Sequence, residues 1–522
     1  MRNKPAALFG LLLCYFYFRG IGDHGLIDTV EGINASIAAH MAGGGNYFVP
    51  KIGGALASGS TMGSWWLSVI ALKLFGWGEF AVRFFPALSG LVMVWASARA
   101  ARSYSDDNIR KSWLASCVCA GMTLCFAVSQ VASSHAVYSC LMGLAMTGII
   151  LSRENKRRLV MAHSAITFAF IAHGFEGIIL PFVAVIAYCV ISEDWELLRD
   201  FFTWPGGIII TVAVSGLYFI VLMITNPEII HFMRCQNHSY TFGGIPGVSA
   251  FLLAGFVPFH GFILRALYEV FPEDYPAGKS PELFMLVWAA VFGFSALLSG
   301  DILAMGACVP ALSALLGRKL DSWLGQRSFS SIRYAVMINT LILIPLLYVI
   351  FPLAARKFPV LQASMMSLVP WGLSEGLFLF ASWYYTKTRQ PRKWARNVPA
   401  AALLCLMPLA GVFNLTAESC SMRSAGMKLR DIIKGGDTVI QYGVNYPSVY
   451  FYTLRNSRII EADLTPGIQE RQFTASREAI NQLWAGKSRV FMITPDTMPS
   501  ENLPNNIFPI AEGEGLLLLS NQ

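Results

Sequence analysis

The fold class predicted is an α-helical polytopic membrane protein with a small C-terminal α/β domain outside the bilayer, and three observations predict it. Hydrophobic residues fill 55% of the 522 positions and charged residues only 13%, which excludes a water-soluble globule with an ordinary charged shell. Apolar runs of spanning length alternate with polar or basic breaks through residues 1–418. From 419 to 522 the chain is polar enough to fold in water, with short strand-like runs such as DTVIQY, SRVFMIT and GLLLLS and a helical stretch, TASREAINQLWA.

In chain order, spans are expected near 6–20, 78–100, 112–131, 134–151, 160–173, 176–192, 206–225, 247–267, 282–299, 301–316, 331–354, 367–385 and 397–414, about thirteen in all. The first is read as a retained helix, because FRGIGDHG after it lacks the small-x-small pattern of a cleavage site. Basic residues mark one side: Arg102, Arg110 and Lys111; Arg153, Lys156, Arg157 and Arg158; Arg318, Lys319 and Arg327; and Lys387, Arg389, Arg392, Lys393 and Arg396. By the positive-inside rule that side and the N-terminus are cytoplasmic, and the C-terminal domain lies outside an inner (plasma) membrane. The net charge of +8 therefore reflects topology and membrane lipids as neighbours, and no nucleic-acid partner is expected.

Between the first two spans, residues 21–77 form an outer loop with an amphipathic helix. Val30, Ile33, Ile37 and Met41 share one helical face, so this helix is expected to lie along the bilayer surface, with Asp28 or Thr29 capping its first turn. Asp28 and Glu31 place carboxylates at the mouth of the membrane domain. Trp65 and Trp66 read as interfacial aromatic anchors, and Glu375 as an ionisable group inside a span. The ten cysteines have no metal-ligand spacing, so no cofactor is assigned, although a divalent metal held by several histidines is left open.

The order of these parts resembles the C-type membrane glycosyltransferases that use polyprenyl-phosphate sugars, notably the lipid A aminoarabinose transferases and protein O-mannosyltransferases. Glu31, Tyr47 and Pro50 fit the register of that family's outer loop. LKLFGWGEFAVRFFPALSGL at 72–91, HGFEGIILP at 173–181, GACVPALSALLG at 306–317 and YGVNYPSVYFY at 442–452 are similar to its further motifs, in the same order. The resemblance implies transfer of a sugar from a polyprenyl-phosphate donor to a lipid or glycan acceptor outside the membrane. It also implies a catalytic carboxylate, Asp28 or Glu31, because the attacking oxygen needs a base and the departing phosphate needs cationic donors.

Departures from the family pattern are equally specific. Val30 stands before Glu31 where relatives carry aspartate, so Asp28 is displaced by two; Ser60-Thr61-Met62 replaces a Lys-Pro-Pro run; His173 and Gly300-Asp301 stand where lysines are expected, and His135 where a second aspartate is expected. Lys51, His135, His173, Arg234 and His238 are the candidates for holding the lipid phosphate in their place. Two other classes compete: a relative that binds polyprenyl lipid or a partner enzyme without catalysis, and a transporter, for which no internal repeat is found.

Overall fold

The computed structural model describes residues 4–52, 55–56, 62–103, 108–225, 255–270, 280–325, 329–350, 352, 356, 365–454, 457–460, 477–486, 488–499, 503–513 and 515–522. Its first helices are α1 (Lys4–Phe18), α2 (Ile33–Ala42), α3 (Met62–Phe75), α4 (Glu79–Ala101), α5 (Ile109–Gly121), α6 (Thr123–Gln130), α7 (Ser134–Leu151), α8 (Leu159–His173), α9 (Glu176–Ser192) and α10 (Trp195–Thr203). There follow α11 (Pro205–Thr225), α12 (His260–Tyr268), α13 (Pro281–Ser299), α14 (Val309–Gly325), α15 (Ser330–Pro345), α16 (Met365–Lys387), α17 (Pro391–Leu404), α18 (Leu406–Ser419) and α19 (Arg423–Ile432). Local chemistry sets several boundaries. Proline, which lacks an N–H that the first turn would leave unpaired, begins α11, α13 and α17, and Gly174 at φ +90° makes the reversal between α8 and α9.

Among the described residues seven helices are long and apolar enough to cross a membrane, or eight if α5 and α6, bent by 57°, form one broken span. That is fewer than the thirteen expected. Helices do form at 6–20, 160–173 and 176–192, but α1 and α8 have 15 residues and α9 has 17, short of the ~20 that a straight crossing needs. The expected span at 247–267 falls partly outside the described residues.

Small residues let these short helices approach closely. A Cβ on Gly148 of α7 would lie 2.9 Å from the Ala162 nitrogen of α8, and one on Gly177 of α9 would lie 2.5 Å from the Ala169 carbonyl carbon. At one end of the bundle the basic loops meet. Arg110 pairs with Asp321, Arg318 with Glu282 at 2.7 Å and with the Ala101 carbonyl at 3.0 Å, and the Trp113 indole donates to the Ala395 carbonyl.

At the opposite end sits a small C-terminal α/β layer. Strands β1 (Lys51–Ile52) and β2 (Ala55–Leu56) pair within the outer loop; β3 (Thr438–Tyr442), β4 (Ser457–Ile460), β5 (Val490–Pro495), β6 (Phe508–Gly513) and β7 (Leu516–Ser520) form one sheet in the order β4-β3-β5-β7-β6. Strand β3 runs parallel to β4 and β5, whereas β7 is antiparallel to β5 and β6. The short helix Val449–Thr453 after β3 packs on α2.

This contact overturns one expectation. Rather than lying on the bilayer surface, α2 is enclosed, with Ile33, Asn34, Ala35, Ser36, Ile37, Ala38, Ala39 and Met41 all buried. Its apolar stripe meets α3, and its other face meets the C-terminal layer, where Ser36 Oγ donates to the Pro447 carbonyl at 2.7 Å. Trp65 is likewise a core residue and not an interfacial anchor, its indole donating to Asn34 at 2.9 Å.

The α8–α9 approach is open to a direct test. Gly177→Ala is expected to lower stability by about 1–3 kcal/mol through overpacking against backbone. Gly411→Ala, where a Cβ would meet nothing within 4 Å, should leave the detergent-solubilised melting temperature unchanged or higher. Equal melting temperatures for the Gly177 variant and wild type would contradict the packing described.

Candidate functional site

An arginine inside an apolar span organises the end of the bundle that meets the C-terminal layer. Arg83 of α4 is fully buried, and all five of its N–H groups are used: Nε donates to Glu31 Oε1 at 2.8 Å, Nη2 to Glu31 Oε2 at 2.5 Å and to the Gly25 carbonyl at 2.8 Å, and Nη1 to the carbonyls of Ile21 and His24 at 2.8 and 2.9 Å. Glu31 also accepts from the Ile27 N–H at 2.8 Å and the Ala132 N–H at 2.7 Å, so each oxygen takes two hydrogen bonds. Burial alone would raise the Glu31 pKa, but the Arg83 charge and these donors outweigh it and hold the group below the usual carboxylate range. His24, buried beside the same guanidinium, is pushed down to about 4, first by burial and then by Arg83.

Asp28 lies on the opening turn, Asp28–Gly32, which is π-helical, and it does not cap α2. Its Oδ1 accepts from the Ser448 N–H at 2.8 Å and its Oδ2 from the Ser448 hydroxyl at 2.6 Å. Burial pushes its pKa up to about 7 despite those donors. Around this contact the C-terminal layer is fastened by Tyr452, whose hydroxyl accepts from the Leu26 N–H at 2.9 Å, and by Arg423, which pairs with Glu79 at 3.1 Å and donates to the Asp23 carbonyl.

A second polar cluster forms where α7 begins and α8 ends. His135 and His173 have ring centroids 5.0 Å apart; His135 Nε2 is 3.4 Å from Asp301, and His173 Nε2 is 3.6 Å from Glu176. The His173 Nδ1 contacts the Ser134 hydroxyl at 3.2 Å, and its ring stacks on Tyr138 at 4.2 Å. His135 sits in the first turn of the 18-residue α7, where unpaired N–H groups favour an anion. The two clusters are one residue segment apart, since Ala132, which donates to Glu31, precedes Ser134 and His135 by two and three positions. A small cleft lined by Asn34, Trp65, Ala132, Ser133 and Ser134 lies between them.

Known proteins share this fold. A model of the family described as dolichyl-phosphate-mannose-protein mannosyltransferase matches residues 60–219. The undecaprenyl phosphate-alpha-4-amino-4-deoxy-L-arabinose arabinosyl transferase of Erwinia tasmaniensis is 21% identical over 480 residues, 88% of this chain and 85% of its own length, and that of Aeromonas hydrophila is 22% identical over 422 residues, 77% and 74%. The crystal structure of ArnT from Cupriavidus metallidurans bound to undecaprenyl phosphate superposes with a TM-score of 0.83 at 16% identity, covering 100% of this chain and 99% of that one. The chain shares its fold with, and is similar over most of its length to, C-type membrane glycosyltransferases that use polyprenyl-phosphate sugars.

Within this fold, the expected site residues fall into groups. His135 and His173 come together, and Asp28 and Glu31 are near neighbours, each engaged with a different partner. Lys51 lies on β1 close to His40, whose pKa is lowered by burial and then by the Lys51 charge. Arg234 and His238 lie outside the described residues. No group of three or more His, Cys, Asp or Glu arranged to hold a metal occurs among the described residues. Sequence reasoning missed Arg83, although an arginine in an apolar run is itself a signal of function or pairing. It also missed Ser448, for which no local signal exists, and the carboxylates Asp301 and Glu176 as histidine partners.

Two outcomes follow from the buried carboxylates. Removing one partner of the sealed ion pair, as in Arg83→Met, leaves an uncompensated buried charge and should cost roughly 3–5 kcal/mol, read as a loss of folded protein after detergent extraction. Asp28 acts with the opposite sign. Because its folded pKa of about 7 exceeds the unfolded value near 4, its contribution is fully present below about pH 4 and is lost as pH rises through 7. Asp28→Asn should therefore flatten the fall in thermal stability between about pH 5 and 8, and a variant profile parallel to wild type would show that this carboxyl does not titrate there.

Proposed function

We propose that this chain transfers a sugar from its polyprenyl-phosphate donor to a lipid or glycan acceptor on the outer face, with His135 and His173 receiving the lipid phosphate and Asp28 taking the acceptor's proton. The observation that supports the assignment is the imidazole pair at the N-terminus of α7. Both Nε2 atoms face carboxylates, Asp301 and Glu176, in positions that an incoming phosphate oxygen would take over. Two imidazole N–H donors and the helix end then stabilise the phosphate as it leaves, the work that lysines do elsewhere in the family pattern.

The reaction balances simply. The acceptor oxygen forms a bond to the anomeric carbon, the bond from that carbon to the phosphate oxygen breaks, and the acceptor's proton passes to a carboxylate. Asp28 suits that role because it is poised near neutrality and already accepts from a hydroxyl, that of Ser448, as it would from an acceptor. Glu31 is reassigned. With both oxygens held by Arg83 and by backbone, it acts as a positioning residue that fixes the loop carrying Asp28. Lys51, Arg234 and His238 extend the phosphate-binding face. The membrane domain is residues 1–418 and the outer domain 419–522, with the N-terminus and the basic loops in the cytoplasm.

Turnover is measured by incubating the purified protein with polyprenyl-phosphate sugars and following release of polyprenyl phosphate. Asp28→Asn should lower the rate about 10²–10⁴-fold while donor binding persists. Removing both imidazoles, as in His135→Ala with His173→Ala, should weaken binding of polyprenyl phosphate, and His135→Lys with His173→Lys should restore it. Unchanged binding in the alanine variant would return the two histidines to a structural role. Binding without turnover of any donor would instead identify the lipid-holding relative considered above.

A further inference from the structure

The face of the bundle formed by α15 and α16 carries a long open groove that the transfer chemistry does not use. Two adjoining cavities of about 650 and 350 Å³ share Thr340 and Trp383 and run along the two antiparallel helices. At one end stand Arg333 and Lys387, both exposed; at the other lie Tyr348, Phe380 and Gly376. From Arg333 to Tyr348 is fifteen residues of helix, about 22 Å, which exceeds one leaflet of a ~30 Å hydrocarbon core. Only 33% of the span Ser330–Val349 is buried, so the groove opens sideways toward lipid.

We infer that this groove binds one diacyl anionic phospholipid of the leaflet at the basic end, its headgroup phosphate between Arg333 and Lys387 and an acyl chain along Thr340 and Trp383 toward Gly376. The charge pattern selects the occupant. Among the described residues neither cation enters an ion pair, and Lys387 is held 4.8 Å over the Trp383 ring, an arrangement that fixes an ammonium at headgroup depth. Basic pockets between spanning helices recognise anionic headgroups, whereas the remaining lining is mostly apolar and its hydroxyls already donate to backbone carbonyls, Thr340 to Val336, Thr386 to Ser382 and Tyr348 to Gly372. A zwitterionic lipid would fill the groove without matching its charge.

The test uses the full chain in detergent, mixed with phosphatidylglycerol or phosphatidylcholine and read by native mass spectrometry. Phosphatidylglycerol should be retained about tenfold better than phosphatidylcholine, and Arg333→Gln with Lys387→Gln should abolish the preference. Gly376→Leu, which places a side chain in the apolar end where only the Tyr348 hydroxyl lies 4.0 Å away, should reduce retention while both cations remain. These side chains face outward, so the variants leave the packed core intact. Equal retention of the two lipids by wild type, or an unchanged preference in the double variant, would overturn the inference. Undecaprenyl phosphate displacing phosphatidylglycerol from the wild type, but not competing in the double variant, would overturn it too by assigning the groove to the carrier.

Discussion

The outer end of this protein depends on one buried ion pair. Arg83 is held in an apolar helix only because every N–H it carries finds an acceptor, and three of those acceptors are carbonyls of the 21–25 segment. Glu31 supplies the countercharge and passes the constraint onward to Ile27 and to Ala132. A single guanidinium thus fixes the loop that presents Asp28 and the segment that leads into His135. A lysine in its place could match the charge but not five directed donors.

The proposed division of labour between the two carboxylates follows from their surroundings. Glu31 faces a fixed cation and is kept ionised, whereas Asp28 has no cation beside it and burial pulls it toward neutrality despite the donors of Ser448 and Met422. Residue type and spacing alone cannot separate them. Pairs of acids whose environments push them apart are a recurring basis for assigning one to proton transfer and the other to scaffolding.

Much of the architecture was legible from the chain. Apolar runs located the helices because the bilayer forces backbone groups to pair within each segment, and the change in composition after Asn414 announced the C-terminal layer. The helices expected at 6–20, 160–173 and 176–192 form at about the lengths the apolar runs show, ending at Arg19, Gly174 and Glu193. The burial of α2 was hidden. A stripe of Val30, Ile33, Ile37 and Met41 reads the same whether the opposite face meets water or another domain, and only the tertiary contacts of Ser36 and Asn34 tell which. Local pattern likewise showed His135 and His173 as departures but could not show that Asp301 and Glu176 converge on them.

Asp28 and Ser448 stand 420 positions apart in the chain, yet their hydrogen bonds close the candidate catalytic end. During synthesis the membrane helices emerge long before residue 448, so a nascent chain carries Asp28, Glu31 and the α2 face without their cover. Closure of the candidate site must therefore wait for the C-terminal layer, and a truncated or stalled product would insert into the bilayer with its acidic loop bare.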